Sequence, residues 1–167
     1  KFDPDDENIL LTGGWDHTIQ IWDLRQKAAL RSIYGPKVWG EAIDISDGFA
    51  VTGSYRPDNQ IEIWKIDTGE PVVSIDWNEA LPSENPCNLY SLQFRKGRND
   101  VLLAGGAGAN EVKVFCTGEQ FKPIAKIYDL SRATFTVDWS QDGDTFAMAG
   151  GDGVIRVFNL SVDHIDK

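Results

Sequence analysis

The amino-acid sequence predicts an all-β chain in which one antiparallel sheet unit recurs four times. Three observations carry this. An apolar strand ending in Gly-Gly or Gly-Ser appears four times along the 167 residues. Each copy leads, after a short turn, into a strand in which apolar and polar residues alternate and which closes on an aromatic residue. Asp-Gly and Gly-rich punctuation separates these runs, as tight turns require.

In the first unit, Leu11-Thr12-Gly13-Gly14 leads through Trp15-Asp16-His17 to Ile19-Gln20-Ile21-Trp22. In the second, Val51-Thr52-Gly53-Ser54 leads to Ile61-Glu62-Ile63-Trp64. The third runs from Leu103-Ala104-Gly105-Gly106 to Val112-Lys113-Val114-Phe115, and the fourth from Met148-Ala149-Gly150-Gly151 to Ile155-Arg156-Val157-Phe158. A period of two places Ile19 and Ile21 on one face and Gln20 on the other, and Ile61/Ile63, Val112/Val114 and Ile155/Val157 repeat that pattern. Inner strands are expected at 41–46, 89–94 and 134–139, and weaker outer strands at 28–33, 71–76 and 123–128.

The aromatic anchors Trp22, Trp64, Phe115 and Phe158 are separated by 42, 51 and 43 residues. A period of about 40–45 residues with four short strands per unit is the spacing of a propeller blade. The longer interval reflects an insert at 78–88, expected to be a surface loop or a docking element. The approximate repeats are 1–34, 35–77, 88–128 and 129–167. Blades stack face to face, so the polar residue of each middle strand is expected near an edge or neutralised by a partner.

These residues resemble the WD-repeat β-propeller family over nearly the whole chain. Trp22-Asp23 is the signature dipeptide at its expected place, and Trp64-Lys65, Phe115-Cys116 and Phe158-Asn159 are degenerate forms. The resemblance implies that an Asp six residues before the anchor accepts hydrogen bonds in the turn between the middle strands. Asp16, Asp58 and Asp152 match that spacing, and the third unit has Ala109 there. It also implies that Thr12 and Thr52 join this network, where the other units have Ala104 and Ala149. The family's Gly-His dipeptide is absent, so each blade is expected to depend on packing, the third being the least regular. Four anchors imply four blades of four-stranded antiparallel sheet, about half of a seven- or eight-bladed propeller. The chain opens on Lys1, and the remaining blades are expected from the same longer chain.

Composition narrows the functional classes. Hydrophobic residues make up 41% and charged residues 25%, a globular composition. A formal charge of −10 disfavours non-specific binding to nucleic acid or anionic membrane. No run approaches the roughly 18 apolar residues of a spanning helix, so no membrane partner is expected. Cys87 and Cys116 fit no metal spacing and are expected to be reduced thiols of an intracellular protein.

The chemical motifs favour structural readings. Gly105-Gly106-Ala107-Gly108 looks like a phosphate loop, but a strand follows it where a helix is needed. Asp138, Ser140, Asp142 and Gly143 match part of a calcium loop, but Ala149 stands where a bidentate Glu is required. His17 lies in a turn and His164 in a polar tail, with no nucleophile beside either. Neither enzyme activity, metal nor cofactor is expected, and no catalytic residue is assigned.

Recognition remains. The resemblance implies docking on the face formed by the turns before the Asp positions and the starts of the inner strands, which offers Trp15, Trp39, Tyr55, Arg56, Tyr90 and Arg132. Trp, Tyr and Arg are the side chains that dominate interface energetics. The expectation is a protein-interaction scaffold in a multiprotein assembly, cytoplasmic, with a cytoskeletal or ciliary axonemal setting. Two alternatives stand beside it: an accessory domain of a larger enzyme, and a nucleosome- or nucleic-acid-associated propeller.

Overall fold

The computed structural model describes residues 1–78, 85–119 and 121–160; most of the expected insert and the tail carrying His164 fall outside them. Among the described residues, fourteen strands form four antiparallel sheets in chain order. The first contains β1 (Ile9–Gly13), β2 (Thr18–Asp23) and β3 (Ala29–Tyr34). The second contains β4 (Ile43–Ser46), β5 (Phe49–Gly53), β6 (Ile61–Lys65) and β7 (Pro71–Ile75). The third contains β8 (Asn88–Phe94), β9 (Val101–Ala107), β10 (Val112–Cys116) and β11 (Lys122–Ile127). The fourth contains β12 (Thr134–Trp139), β13 (Thr145–Gly150) and β14 (Ile155–Asn159). Each sheet is a meander in which neighbours in sequence are neighbours in space, and the sheets are propeller blades.

The first blade shows three full strands among the described residues. Ahead of β1, a single bridge joins Phe2 to Leu10, and Leu11 N donates to Lys1 O at 2.8 Å, starting an inner strand. The anchors share one local device. The register slips between Ile21 and Trp22, between Ile63 and Trp64, and between Val114 and Phe115, always against the outer strand. Such a bulge bends the strand and re-aims the residue beside it.

Two interior regions fill the spaces between blades. One joins the first three blades, with Ile19, Ile21, Ile61, Ile63, Trp64 and Phe115 among its buried members. The other joins the third and fourth through Val112, Val114, Val137, Trp139, Phe146 and Met148. The glycines ending the second strands let the inner strand of the same blade approach closely. A Cβ on Gly106 would lie 2.0 Å from Asn88 O, and one on Gly150 would lie 2.0 Å from Ala133 O. Gly105 and Gly106 are thus strand residues pressed against their neighbours, not a phosphate loop.

The polar residues of the middle strands are neutralised. Ser32 Oγ donates to Gln20 Oε1 at 2.6 Å, Arg56 pairs with Glu62 at 2.7 Å, and Arg156 pairs with Asp152 at 2.7 Å. Lys113, wholly buried, donates to Trp77 O and lies 4.6 Å from the Trp77 ring centroid. Trp77 Nε1 in turn donates to Glu111 at 3.2 Å. The third blade, expected to be the least regular, has strands of seven residues in β8 and β9 and slips on both flanks.

The polar network of the resemblance is divided in two. Trp22 Nε1 donates to Thr12 Oγ1 at 2.9 Å, and Trp64 Nε1 to Thr52 Oγ1 at 3.0 Å. Asp16 accepts instead from Thr18 N at 3.1 Å, and Asp152 from Val154 N at 3.0 Å, each closing its own turn. The Thr therefore serves the aromatic anchor and the Asp serves the turn. That backbone hydrogen bond, followed by Arg156, holds the Asp152 carboxyl below its ordinary range.

Trp64→Ala is expected to cost about 3–5 kcal/mol, because a nearly buried indole leaves a void between blades. Thr52→Val should cost about 1–3 kcal/mol by orphaning a buried Trp64 N–H. Denaturant titration reads both. Burial pushes the Lys113 ammonium down from 10.5 to about 8. The folded chain then binds that proton less tightly than the unfolded chain, so stability rises with pH from about 8 to 10.5. The gain across that window should shrink in Lys113→Met, compared with the native chain at each end of it.

Candidate protein-interaction face

Backbone hydrogen bonds gather side chains from all four blades on one face. The linker after β3 runs between two turns: Val38 N donates to Gly14 O at 3.1 Å, and Tyr55 N donates to Lys37 O at 2.9 Å. Lys37 N adds a bond to Ser54 Oγ at 3.0 Å. Threaded this way, Trp39 falls between Trp15, on the β1–β2 turn, and Tyr55, on the β5–β6 turn. Gly40 then crosses to the third blade with φ +62°, and a Cβ there would stand 2.6 Å from Tyr90 O. Only glycine fits that crossing, which brings Trp39 beside Tyr90.

The result is a run of aromatic rings. Trp15 stacks on Trp39 with centroids 4.5 Å apart, and Trp39 stacks on Tyr55 at 4.6 Å. Tyr90 meets Trp39 edge-on at 6.1 Å and Tyr55 at 6.4 Å, and Phe135 continues the run at 5.3 Å from Tyr90. Bulges explain the last two. The β8–β9 register slips between Leu89 and Ser91, and the β12–β13 register slips between Thr134 and Thr136. Tyr90 and Phe135 are the residues the ladders skip, and both turn out onto the face.

Four residues predicted for this face, Trp15, Trp39, Tyr55 and Tyr90, therefore meet in one cluster. Trp15 is 66% exposed, while Trp39, Tyr55 and Tyr90 are half-buried by their neighbours. Trp39 Nε1 is buried with no hydrogen-bond partner among the described residues, so stacking and packing hold that ring. Lys37 Nζ lies 5.9 Å from the Tyr55 centroid.

The two arginines differ. Arg56, predicted to face a partner, turns its guanidinium inward, donating to Gly35 O and Asn59 O at 3.0 Å and to Glu62 at 2.7 Å. It clamps the linker against its blade, because the half-buried Glu62 carboxylate needs a counter-charge. Burial pushes Glu62 up, and Arg56 opposes that shift. Arg132 is exposed near Phe135, at the fourth blade's edge of the face. Phe135 was not predicted. The signal was present: Tyr90 and Phe135 each stand four residues before the aromatic end of an inner strand, Phe94 and Trp139.

The comparisons agree with this architecture. The family described as WD domain, G-beta repeat matches residues 1–23 and 125–159. In these two segments the chain is similar to the WD-repeat family. It is 23% identical to the small ribosomal subunit protein RACK1 of Drosophila melanogaster, covering 97% of this chain and 50% of that protein. It is 27% identical to the ribosome biogenesis protein WDR12 homolog of Culex quinquefasciatus, covering 94% and 35%. Against the APC/C activator protein CDC20 of Saccharomyces cerevisiae it is 23% identical, covering 90% and 25%. This chain thus spans half or less of the length of these WD-repeat relatives. Among solved structures it aligns with a chain of the mitotic checkpoint complex at TM-score 0.79 and 19% identity, covering 93% of this chain and 48% of that one. The computationally designed Ika4 protein aligns at TM-score 0.71 and 20% identity, covering 93% and 88%.

Trp15→Ala is expected to cost only the stacking term, about 0.5–1.5 kcal/mol, and to leave the fold in place. Trp39→Ala loses three ring partners and should cost more. Denaturant titration ranks the two, and the reverse order would remove Trp39 from the centre of the face.

Proposed function

We propose that this chain is a non-catalytic scaffold that docks a partner protein across the aromatic run from Trp15 to Phe135. The observation that carries the reading is the exposed Trp15 ring at the end of a stack the fold holds rigid. A pre-ordered aromatic surface loses little side-chain freedom on binding, which is why such residues anchor interfaces. The named roles of the relatives support it: a ribosomal subunit protein, a ribosome biogenesis protein and an activator of the APC/C all work within assemblies. In this reading Trp15, Trp39, Tyr55, Tyr90 and Phe135 contact the partner, Arg132 lies at the rim, and Arg56 positions the linker. The anchors Trp22, Trp64, Phe115 and Phe158 and the turn residues Asp16, Asp58 and Asp152 hold the blades.

We place the assembly inside the cell and take a cytoskeletal or ciliary one as the setting to test by localising the tagged protein. For the docking face, affinity capture of the protein with and without Trp15→Ala, read by mass spectrometry, is the test. A defined group of proteins should disappear with Trp15→Ala and persist with Ile124→Ala, a change on the outer strand β11. An unchanged group would move recognition away from the aromatic face.

A further inference from the structure

The aromatic run sits among charges of mainly one sign. Asp16, Glu41, Asp58, Asp76 and Asp129 stand exposed on the turns and linkers at this end of the blades. None of the five forms an ion pair among the described residues. The cations at the same end are mostly committed. Arg56 is taken by Glu62, Arg156 by Asp152 and Lys126 by Glu111, and Lys37 lies against the Tyr55 ring. Arg132 is left as the exposed cation of this end among the described residues. The turns at the opposite end mix signs, with exposed Lys65 and Arg98 alongside Asp67 and Glu70.

Glu41 is the acid that the fold places against the rings. Gly40 crosses to the third blade, and the next residue, Glu41, donates its N–H to Tyr90 O at 2.8 Å. Thr136 Oγ1 donates to Glu41 Oε2 at 3.3 Å, which ties the carboxylate to β12. Glu41 Oε1 accepts no hydrogen bond among the described residues. Beside it the Tyr90 ring meets Trp39 at 6.1 Å and Phe135 at 5.3 Å. Glu41 and Asp58 belong to the second blade, which has a described blade on either side, so neighbours within the chain set their exposure. Glu41 also leads into an inner strand, and inner strands border the central channel of a propeller.

A carboxylate at the inner end of an aromatic cluster matches one kind of side chain best. A guanidinium is planar, donates two N–H groups to a carboxylate and stacks on aromatic rings, whereas an ammonium is a compact point charge. The chain shows this combination in its own interior: Arg95 lies 6.0 Å from the Trp139 ring centroid and pairs with Asp144 at 2.9 Å.

We propose, resting on the docking reading above, that the partner presents a basic segment to this face and that one of its arginines pairs with Glu41 beside Tyr90. The other carboxylates hold the flanking cations, and a chain of net charge −10 attracts such a segment at long range.

Fluorescence anisotropy of the full chain with labelled octa-arginine, octalysine and octaglutamate peptides tests this at low and at physiological salt. Octa-arginine should bind more tightly than octalysine, and octaglutamate should not bind. Glu41→Gln and Asp58→Asn should each weaken octa-arginine by about five-fold, the loss of one solvent-exposed ion pair. Asp67→Asn with Glu70→Gln removes two charges from the opposite end and should leave the affinity unchanged. Circular dichroism checks that each variant remains folded. Absence of octa-arginine binding overturns the proposal. Equal affinity for octalysine overturns it as well, as does an equal loss in the opposite-end variant, because either result reports net charge alone. The capture experiment separates the two readings. Proteins lost with Trp15→Ala but kept with Glu41→Gln would leave the docking face in place and remove the basic segment from it.

Discussion

The packing of a β-branched pair against an aromatic anchor is the contact on which the rest of this molecule depends. A single three- or four-stranded sheet cannot bury its own faces. Here the first three sheets hide Ile61/Ile63 or an equivalent pair behind the next blade, while Trp64 or Phe115 reaches back toward the one before. The bulge before each of Trp22, Trp64 and Phe115 sets the aromatic against this seam without breaking the strand. The contact is directional: Leu102, Ala104 and Phe115 of the third blade face the blades before it, and Val101, Leu103, Val112 and Val114 face the blade after it.

The charged groups of the middle strands are tolerated in the seam because Glu62, Lys113 and Arg156 each have a partner of fitting chemistry. Arg56 with Glu62 and Arg156 with Asp152 offset charges that would be costly alone. Lys113 is the extreme case: its ammonium lies among Trp77, Glu111 and the carbonyl of Trp77, and burial weakens its hold on the proton. The same economy shapes the interaction face. The Arg56 guanidinium is taken up by Glu62, whereas Trp15 keeps much of its ring exposed while Trp39 supports one side of it.

The four units, their strands and their anchors could be read in the chain because each is a local pattern. Alternation of period two, glycine at strand ends and aromatic spacing are properties of neighbouring residues. The inner strand at 134–139 and the outer strand beginning at Pro71 were legible to the residue. The candidate face was legible in part. Trp15, Trp39, Tyr55 and Tyr90 were singled out by residue type and position. Phe135 was missed because its exposure comes from a ladder slip at Thr134–Thr136, which alternation alone does not announce. The inward turn of Arg56 was not legible, because the demand for a counter-charge comes from Glu62, six residues on in β6.

The sequence by itself determined the unit: how many sheets there are, where each turns, and which side of each strand is apolar. Those features follow from backbone geometry and side-chain periodicity within a dozen residues. Only the tertiary structure decided which apolar face points forward and which points back, that Thr12 and Thr52 serve the tryptophans and not the aspartates, and that rings from four blades share one face. The reason is physical. Strand pairing is a short-range match between neighbours, while stacking across blades depends on close approaches such as Gly40 against Tyr90 O, between segments fifty residues apart.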